Sequence, residues 1–487
     1  INKAGGTVQN VVFEDIHNAA NNLSAVYASG LEGTATITGC TFDNCDWDAI
    51  QATPVAGAVL TITGNVFDTD NTDGVQQQRY VHIQSAANVD FTSTVTGNVM
   101  KGDTKQGALE AYFFADEEKI NVSHNYIEDM ADVCILDGTG ALRNDMVFPA
   151  YKDAEKTELY QPVAMIATSA YSADYYPTLA AALIGAKSGD TIQILAGTWG
   201  EDAIGKLDEE GEYTNANIVR YKSLTIQPAE GAEVTFTSTL SLGYDDSSTA
   251  NATMTVKNLN FDGASLALSN YVQVNVEGCT FKNGTSNTAG TLIVQDSCCK
   301  NHKTTGDYPA SQVTIKNCTI DGSNDGASGI RIRNSGNVTI TGNVIKNTAH
   351  NGILFESNGS VDNTPVKTVS ITGNAITEWD VGNVADGGRA MRLDFGTLAA
   401  DSAVTIEGNL FRKDETGLDK PDFMKITGAG AATVSLEKND WNNELRSTVS
   451  GNSDYYTVDT ATPVALAAVV TTKKEPVAQI GETRYYS

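Results

Sequence analysis

Thr339-Ile340-Thr341-Gly342-Asn343-Val344-Ile345 holds, in seven residues, one bend and the two short strands on either side of it. Thr339, Ile340 and Thr341 alternate polar and apolar, the period of a strand with one buried face, and Val344-Ile345 resumes the alternation. Gly342-Asn343 between them is turn chemistry. The phrase returns as Thr36-Ile37-Thr38-Gly39-Cys40-Thr41-Phe42, as Thr61-Ile62-Thr63-Gly64-Asn65-Val66-Phe67, and at 94–100 and 121–127. It resumes at 276–281, 315–320, 371–374, 406–409 and 436–439, with spacings of roughly 20 to 39 residues. Recurrence on that scale marks a solenoid.

The pattern predicts an all-β fold, a right-handed parallel β-helix solenoid in which inward residues such as Ile340 and Ile345 stack on the next coil. The bend residue must point inward and satisfy backbone groups there. Asn does both, so Asn65, Asn98 and Asn125, then Asn343, Asn374, Asn409 and Asn439, are expected as hydrogen-bonded ladders. Val11 and Leu259 fill the same column where no ladder continues. Cys40, Cys279 and Cys318 fill it as small buried residues, neither ligands nor disulfide partners.

The phrase lapses once. Pro177-Thr178-Leu179-Ala180-Ala181-Ala182-Leu183-Ile184-Gly185-Ala186-Lys187 reads as a helix with Pro at its start, and strand pattern follows at once in 189–199. A solenoid end exposes apolar core, so a short capping helix belongs there. A longer period also emerges. Residues 36–42 correspond to 339–345, and Arg79-Tyr80-Val81-His82-Ile83 to Arg389-Ala390-Met391-Arg392-Leu393, at offsets of about 303 to 314 residues. The chain thus reads as two tandem modules. Residues 1–140 are the C-terminal part of the first, 141–162 a linker, 163–460 the second with its capping helix, and 461–487 a linker and the start of a further module. Ile1-Asn2-Lys3, with no initiator Met or targeting segment, reads as a piece of a longer tandem array of the same chain.

Of the 487 residues 60 are acidic and 32 basic, a formal net charge of −28. Such a surface repels phosphate, which excludes nucleic acid as a partner and favours neutral or cationic ligands. No stretch approaches twenty consecutive apolar residues, so no membrane insertion is expected. Five His starve a His-rich metal centre, and seven Cys do not fall into a disulfide framework. Cys298-Cys299 with His302 matches no zinc spacing and reads as a loop. No resident cofactor is expected. Ca²⁺ is the one ion the turns could take: Asp321, Ser323 and Asp325 form the first half of a calcium loop, but Ile332 stands where the twelfth ligand belongs.

Pro162-Val163-Ala164-Met165-Ile166, then Tyr176-Pro177-Thr178-Leu179 and Ser188-Gly189-Asp190-Thr191-Ile192, resembles the module start of large repetitive surface proteins of Gram-positive gut bacteria. The coil phrases resemble the pectate-lyase-like right-handed β-helix superfamily over nearly the whole chain. The resemblance implies an extracellular protein, cell wall-attached or secreted: a non-catalytic adhesin or stalk binding host glycans, mucin or a host protein such as immunoglobulin. The alternative it implies is a polysaccharide lyase or glycoside hydrolase. Polygalacturonases of this fold carry Asn-Thr-Asp, an Asp pair, Gly-His-Gly and Arg-x-Lys in that order. Here Asn71-Thr72-Asp73-Gly74 matches the first, no Asp pair follows, and His350-Asn351-Gly352 and Arg331-Ile332-Arg333 come far later in reversed order. Inverting hydrolysis needs two carboxylates across the bond, and that pair cannot be assembled.

A charged strip is the better candidate for ligand binding. In Ile330-Arg331-Ile332-Arg333 the Ile pair points inward and Arg331 and Arg333 outward. With Gly329 stacked on Gly352, Glu356 lies over Arg333. One coil on, Arg392 and Asp394 occupy the same two columns, and Lys425 continues them. His350 and Arg389 complete the candidate set. The plainer reading is an ion-pair ladder that keeps an exposed sheet soluble. In the first module the columns hold His82 and Gln84 where the second has Arg392 and Asp394. Trp47, Trp379 and Trp441 each follow a bend and are expected in loops leaving the coil.

Overall fold

A computed structural model describes residues 1–16, 24–69, 77–102, 104, 107–114, 119–128, 133–137, 144–168, 173–205, 222–243, 252–269, 271–284, 290–295, 312–323, 327–333, 336–356, 368–382, 388–396, 398, 401–413, 423–429, 432–441, 444–446, 456–458, 472–473, 478–480 and 483–485. The chain forms two compact units, Ile1–Pro177 and Thr178–Ser487. Both are right-handed parallel β-helix: each coil gives one strand to each of three sheets, so neighbours in a sheet are the same position one coil on.

In Ile1–Pro177 the first sheet runs Gly5–Gln9, Thr34–Thr38, Val59–Thr63, Thr92–Thr96 and Ile120–Asn121. The second carries Val12–Glu14, Thr41–Asp43, Val66–Asp68, Val99–Lys101 and Tyr126–Ile127. The third carries Val26–Leu31, Trp47–Pro54, Gln77–Val89, Gly107–Phe114 and Val133–Asp137. Within the stretch read as a linker, Tyr151 adds in parallel to Tyr126, and Leu159–Tyr160 then pairs antiparallel with Ala150–Tyr151.

Thr178–Ser487 begins with a helix, Leu179–Gly185, at the place the sequence gives it. Thr178 is its N-cap, its Oγ1 accepting from the Ala181 amide at 3.1 Å, and Leu179, Ala180, Ala182 and Leu183 form its buried face. Three sheets follow. The first extends in parallel from Thr191–Ile194 to Thr433–Ser435, the second from Gly197–Trp199 to Asn439–Trp441, and the third from Leu240–Leu242 to Tyr456–Val458. Glu444–Arg446 then pairs antiparallel with Asn439–Trp441. Among the described residues no helix is long and apolar enough to cross a membrane.

The bend column forms the expected ladders. Asn343 Nδ2 donates to Asn374 Oδ1 (2.9 Å), Asn374 Nδ2 to Asn409 Oδ1 (3.0 Å) and Asn409 Nδ2 to Asn439 Oδ1 (3.0 Å). Each of those Oδ1 atoms also accepts the backbone N–H of the Asn one coil earlier. Asn65, Asn98 and Asn125 repeat the pattern in the other unit. Cys40 and Cys318 stand at the starts of the two ladders, their amides donating to Asn65 and Asn343. The residue before each Asn, and before Cys40, is left-handed, with φ between 61° and 67° at Gly39, Gly64, Gly97, Gly342, Gly373 and Gly408, which is why Gly recurs there.

Inside the coils, like stacks on like. Phe13, Phe42 and Phe67 lie ring on ring at 4.8 and 4.9 Å, close to the ~4.8 Å between strands of a sheet. Trp379 and Trp441 do not leave the coil as their positions suggested. Both are fully buried in strands of the second sheet, Trp441 stacked on Phe411 at 4.6 Å, because the strand after the bend continues far enough to carry them inward. Trp47 also opens a strand, half-buried, with φ at 62°.

Two outcomes are expected. Asn374→Ala strands a backbone amide and a neighbouring amide side chain, and should cost about 1–3 kcal/mol in denaturant unfolding. Cys40, Cys45, Cys134, Cys279 and Cys318 are free and buried, and burial pushes the Cys45 thiol up to about 12. These five should react with a thiol reagent only after denaturation, without added reductant.

Candidate functional site

The candidate strip lies on the third sheet of Thr178–Ser487. Strands Ser328–Arg333, Ile353–Glu356, Met391–Asp394 and Met424–Thr427 send Ile330, Ile332, Ile353, Phe355, Met391, Leu393, Met424 and Ile426 into the core. The alternate residues face outward in two columns. One reads Arg331, Leu354, Arg392, Lys425; the other reads Arg333, Glu356, Asp394, Thr427. Glu356 therefore lies over Arg333, yet its ion pair is diagonal. Arg331 takes Glu356 Oε2 with both Nε, at 2.8 Å, and Nη2, at 2.6 Å. Leu354, only 4% exposed, breaks the first column. Among the described residues Arg333, Arg392 and Lys425 carry no ion pair. Asp394 Oδ1 accepts the Gly396 amide at 3.2 Å. His350 and Arg389 stand apart from the columns, at the corner before the strands, where their backbones bond to Asp380, Asn351 and Gly352.

The calcium half-loop is differently placed. Asp321 lies in the middle and Ser323 at the end of the strand Thr319–Ser323, and the Asp321 carboxylate is held by Lys346 Nζ (2.9 Å) and Asn347 Nδ2 (2.8 Å). Asp325 lies outside the described residues, as do Asn71-Thr72-Asp73-Gly74, Cys298, Cys299 and His302. Among the described residues no three His, Cys, Asp or Glu side chains are arranged to hold a metal. The Lys346 and Asn347 hydrogen bonds lower the Asp321 carboxyl below its ordinary value. Their stabilisation is fully present above the value of an unfolded Asp and is lost as pH falls through the lower folded one. The melting difference between wild type and Asp321→Ala should therefore shrink below about pH 4.

The third sheet of Ile1–Pro177 holds a charged cluster that sequence reasoning missed. Asp48, fully buried, binds His82 Nδ1 through Oδ2 at 2.8 Å and Arg79 Nη1 through Oδ1 at 3.3 Å. Arg79 Nε meets Glu110, whose Oε2 is 3.9 Å from His82 Nε2. Tyr112 adds a hydrogen bond to Glu110; burial, and then the Glu110 charge, raise its phenol well above the ordinary value. Burial likewise pushes the neighbouring Cys134 thiol up to about 11.

The parts come from three coils. Glu110 pairs in register with His82, and Asp48 with Arg79. Each member of the cluster bonds to another, which offsets the cost of taking a carboxylate such as Asp48 out of water. The other unit has Ser328 and Asn351 at the corner that Asp48 occupies, bonded to each other at 3.3 Å. The fold therefore does not require the charges. The signal for the cluster lay in acids at 48 and 110, on the coils either side of His82. Asp48→Ala should cost about 3–5 kcal/mol by stranding Arg79 and His82. Arg331→Ala, opposite a Glu356 side chain 37% exposed, should cost at most about 1 kcal/mol in the same denaturation measurement.

Comparison with known proteins bears on the fold. No curated protein and no solved structure matches the chain. Residues 244–411 and 308–458 match the family model of the right handed beta helix region, and they fall among the parallel-stacked coils of Thr178–Ser487.

Proposed function

We propose that the chain is a non-catalytic extracellular surface protein that binds glycans through the outer face of the third sheet of Thr178–Ser487. One observation carries the reading: Arg333, Arg392 and Lys425 stand half-buried on the sheet with no ion pair among the described residues, which leaves their donors for a ligand. The carboxylates of that face are engaged elsewhere, Glu356 by Arg331 and Asp394 by the Gly396 amide. That favours binding over the acid and base pair of a hydrolase. The likeness of the module start to bacterial surface proteins supports the location.

A glycan array probed with the whole chain tests the proposal. Specific retention that falls about tenfold or more in Arg392→Ala is expected, with no release of reducing ends or unsaturated uronates from polysaccharides. Turnover that Arg392→Ala abolishes would instead make the strip an active site.

A further inference from the structure

Upstream of Asn343 the bend column passes from amides to sulfur. Glu277 lies opposite Lys316 in the first sheet and Thr280 opposite Thr319 in the second, so Cys279 and Cys318 hold the same place on adjacent coils. Neighbouring strands run ~4.8 Å apart, inside the ~4.4–6.8 Å that separates Cα atoms across a disulfide. Both thiols are free and buried, at 0% and 1% exposure.

The two are bonded to each other. The Cys279 thiol, and with it the backbone N–H groups of Cys279 and Gly278, donate to the Cys318 sulfur and hold its thiol below the ordinary value against the opposing effect of burial. The same hydrogen bond, and then burial, push the Cys279 thiol well above it. Cys318 is thus the nucleophile of the pair and Cys279 its neighbour in waiting. Cys40 and Cys45 direct their thiols to backbone carbonyls instead, at Val8 and Thr38 and at Phe13 and Asp43.

We infer that Cys279 and Cys318 are a dithiol that a peroxide oxidises to a disulfide joining two coils. The Cys318 sulfur attacks one peroxide oxygen, the O–O bond breaks, and the thiol proton leaves with the departing hydroxide as water, giving a sulfenic acid. The Cys279 sulfur then attacks the Cys318 sulfur. The S–S bond forms, the S–O bond breaks, and a second water carries off the Cys279 proton. Two thiols are oxidised and one peroxide is reduced. Hydrogen peroxide, little larger than water, suits a closed core that turns away a bulky disulfide oxidant. The Cys318 amide already donates to Asn343, so the bridge would continue in covalent form the ladder that starts there.

The test treats the whole folded chain with hydrogen peroxide, blocks the remaining thiols in denaturant, and maps peptides without reductant. A peptide pair joined through Cys279 and Cys318 is expected, and dithiothreitol should restore both thiols. Cys45 and Cys134 should be modified at least about tenfold more slowly. The preference should vanish when the chain is unfolded before treatment, and Cys279→Ala should give no bridge to Cys318. Recovery of both as thiols while other cysteines oxidise, a bridge joining another pair in their place, or sulfinic acid at Cys318 with no bridge would each overturn the inference. So would a preference that persists in the unfolded chain. The wild-type map decides the matter even if the variant fails to fold.

Discussion

A coil of this solenoid turns a corner against its own core, and the amide at that corner has no strand opposite to accept it. An unpaired buried N–H is among the costlier defects a fold can carry, so everything built on the coils depends on how that donor is satisfied. The Asn column answers with one side chain per coil: Oδ1 takes the amide and the Nδ2 of the coil before, while Nδ2 reaches back to a carbonyl, as Asn374 does to Ile340 O at 2.9 Å. The left-handed residue before it sets the direction, and Gly fills that position in most coils. With the corner fixed, the strands on either side hold their register, and each inward residue meets its counterpart one coil away. The Phe13, Phe42 and Phe67 stack is the visible result.

The same register governs the outer faces. Lys257, Glu277 and Lys316, or Asp262, Lys282, Asp321 and Lys346, are neighbours because the coils align them, and in Thr178–Ser487 they are chosen to attract. The charged cluster of Ile1–Pro177 draws on that geometry too, binding Asp48, Arg79, His82 and Glu110 across three coils. It is nearly dry, whereas the Arg392 and Lys425 pair stands half in solvent.

The fold was legible because its determinants are local. Period-two strands and the Gly-Asn bend lie within seven residues of one another, and a repeat makes the pattern unmistakable. The outward columns at Arg331, Arg333, Arg392 and Lys425 followed from the same alternation. What the sequence hid was set by side-chain reach between coils. Arg331 takes Glu356 diagonally, although Arg333 is the register partner. Asp48 reaches His82 although Arg79 is its register partner. Trp379 and Trp441 looked like loop residues because strand length after a bend is not encoded by the bend.

Both second sheets close in the same way. After the last parallel strand the chain reverses, with Leu159–Tyr160 running antiparallel to Ala150–Tyr151 and Glu444–Arg446 antiparallel to Asn439–Trp441. The last Asn of each ladder likewise turns to its own coil, Asn125 to Val122 O at 2.8 Å and Asn439 to Leu436 O at 3.1 Å. A sheet edge is otherwise a template for the next strand of matching direction. These reversals act as punctuation for a repeat. Coils could be gained or lost upstream by duplication, lengthening or shortening the stack by whole rungs, while the terminator and its closing Asn pass unchanged from one length to the next.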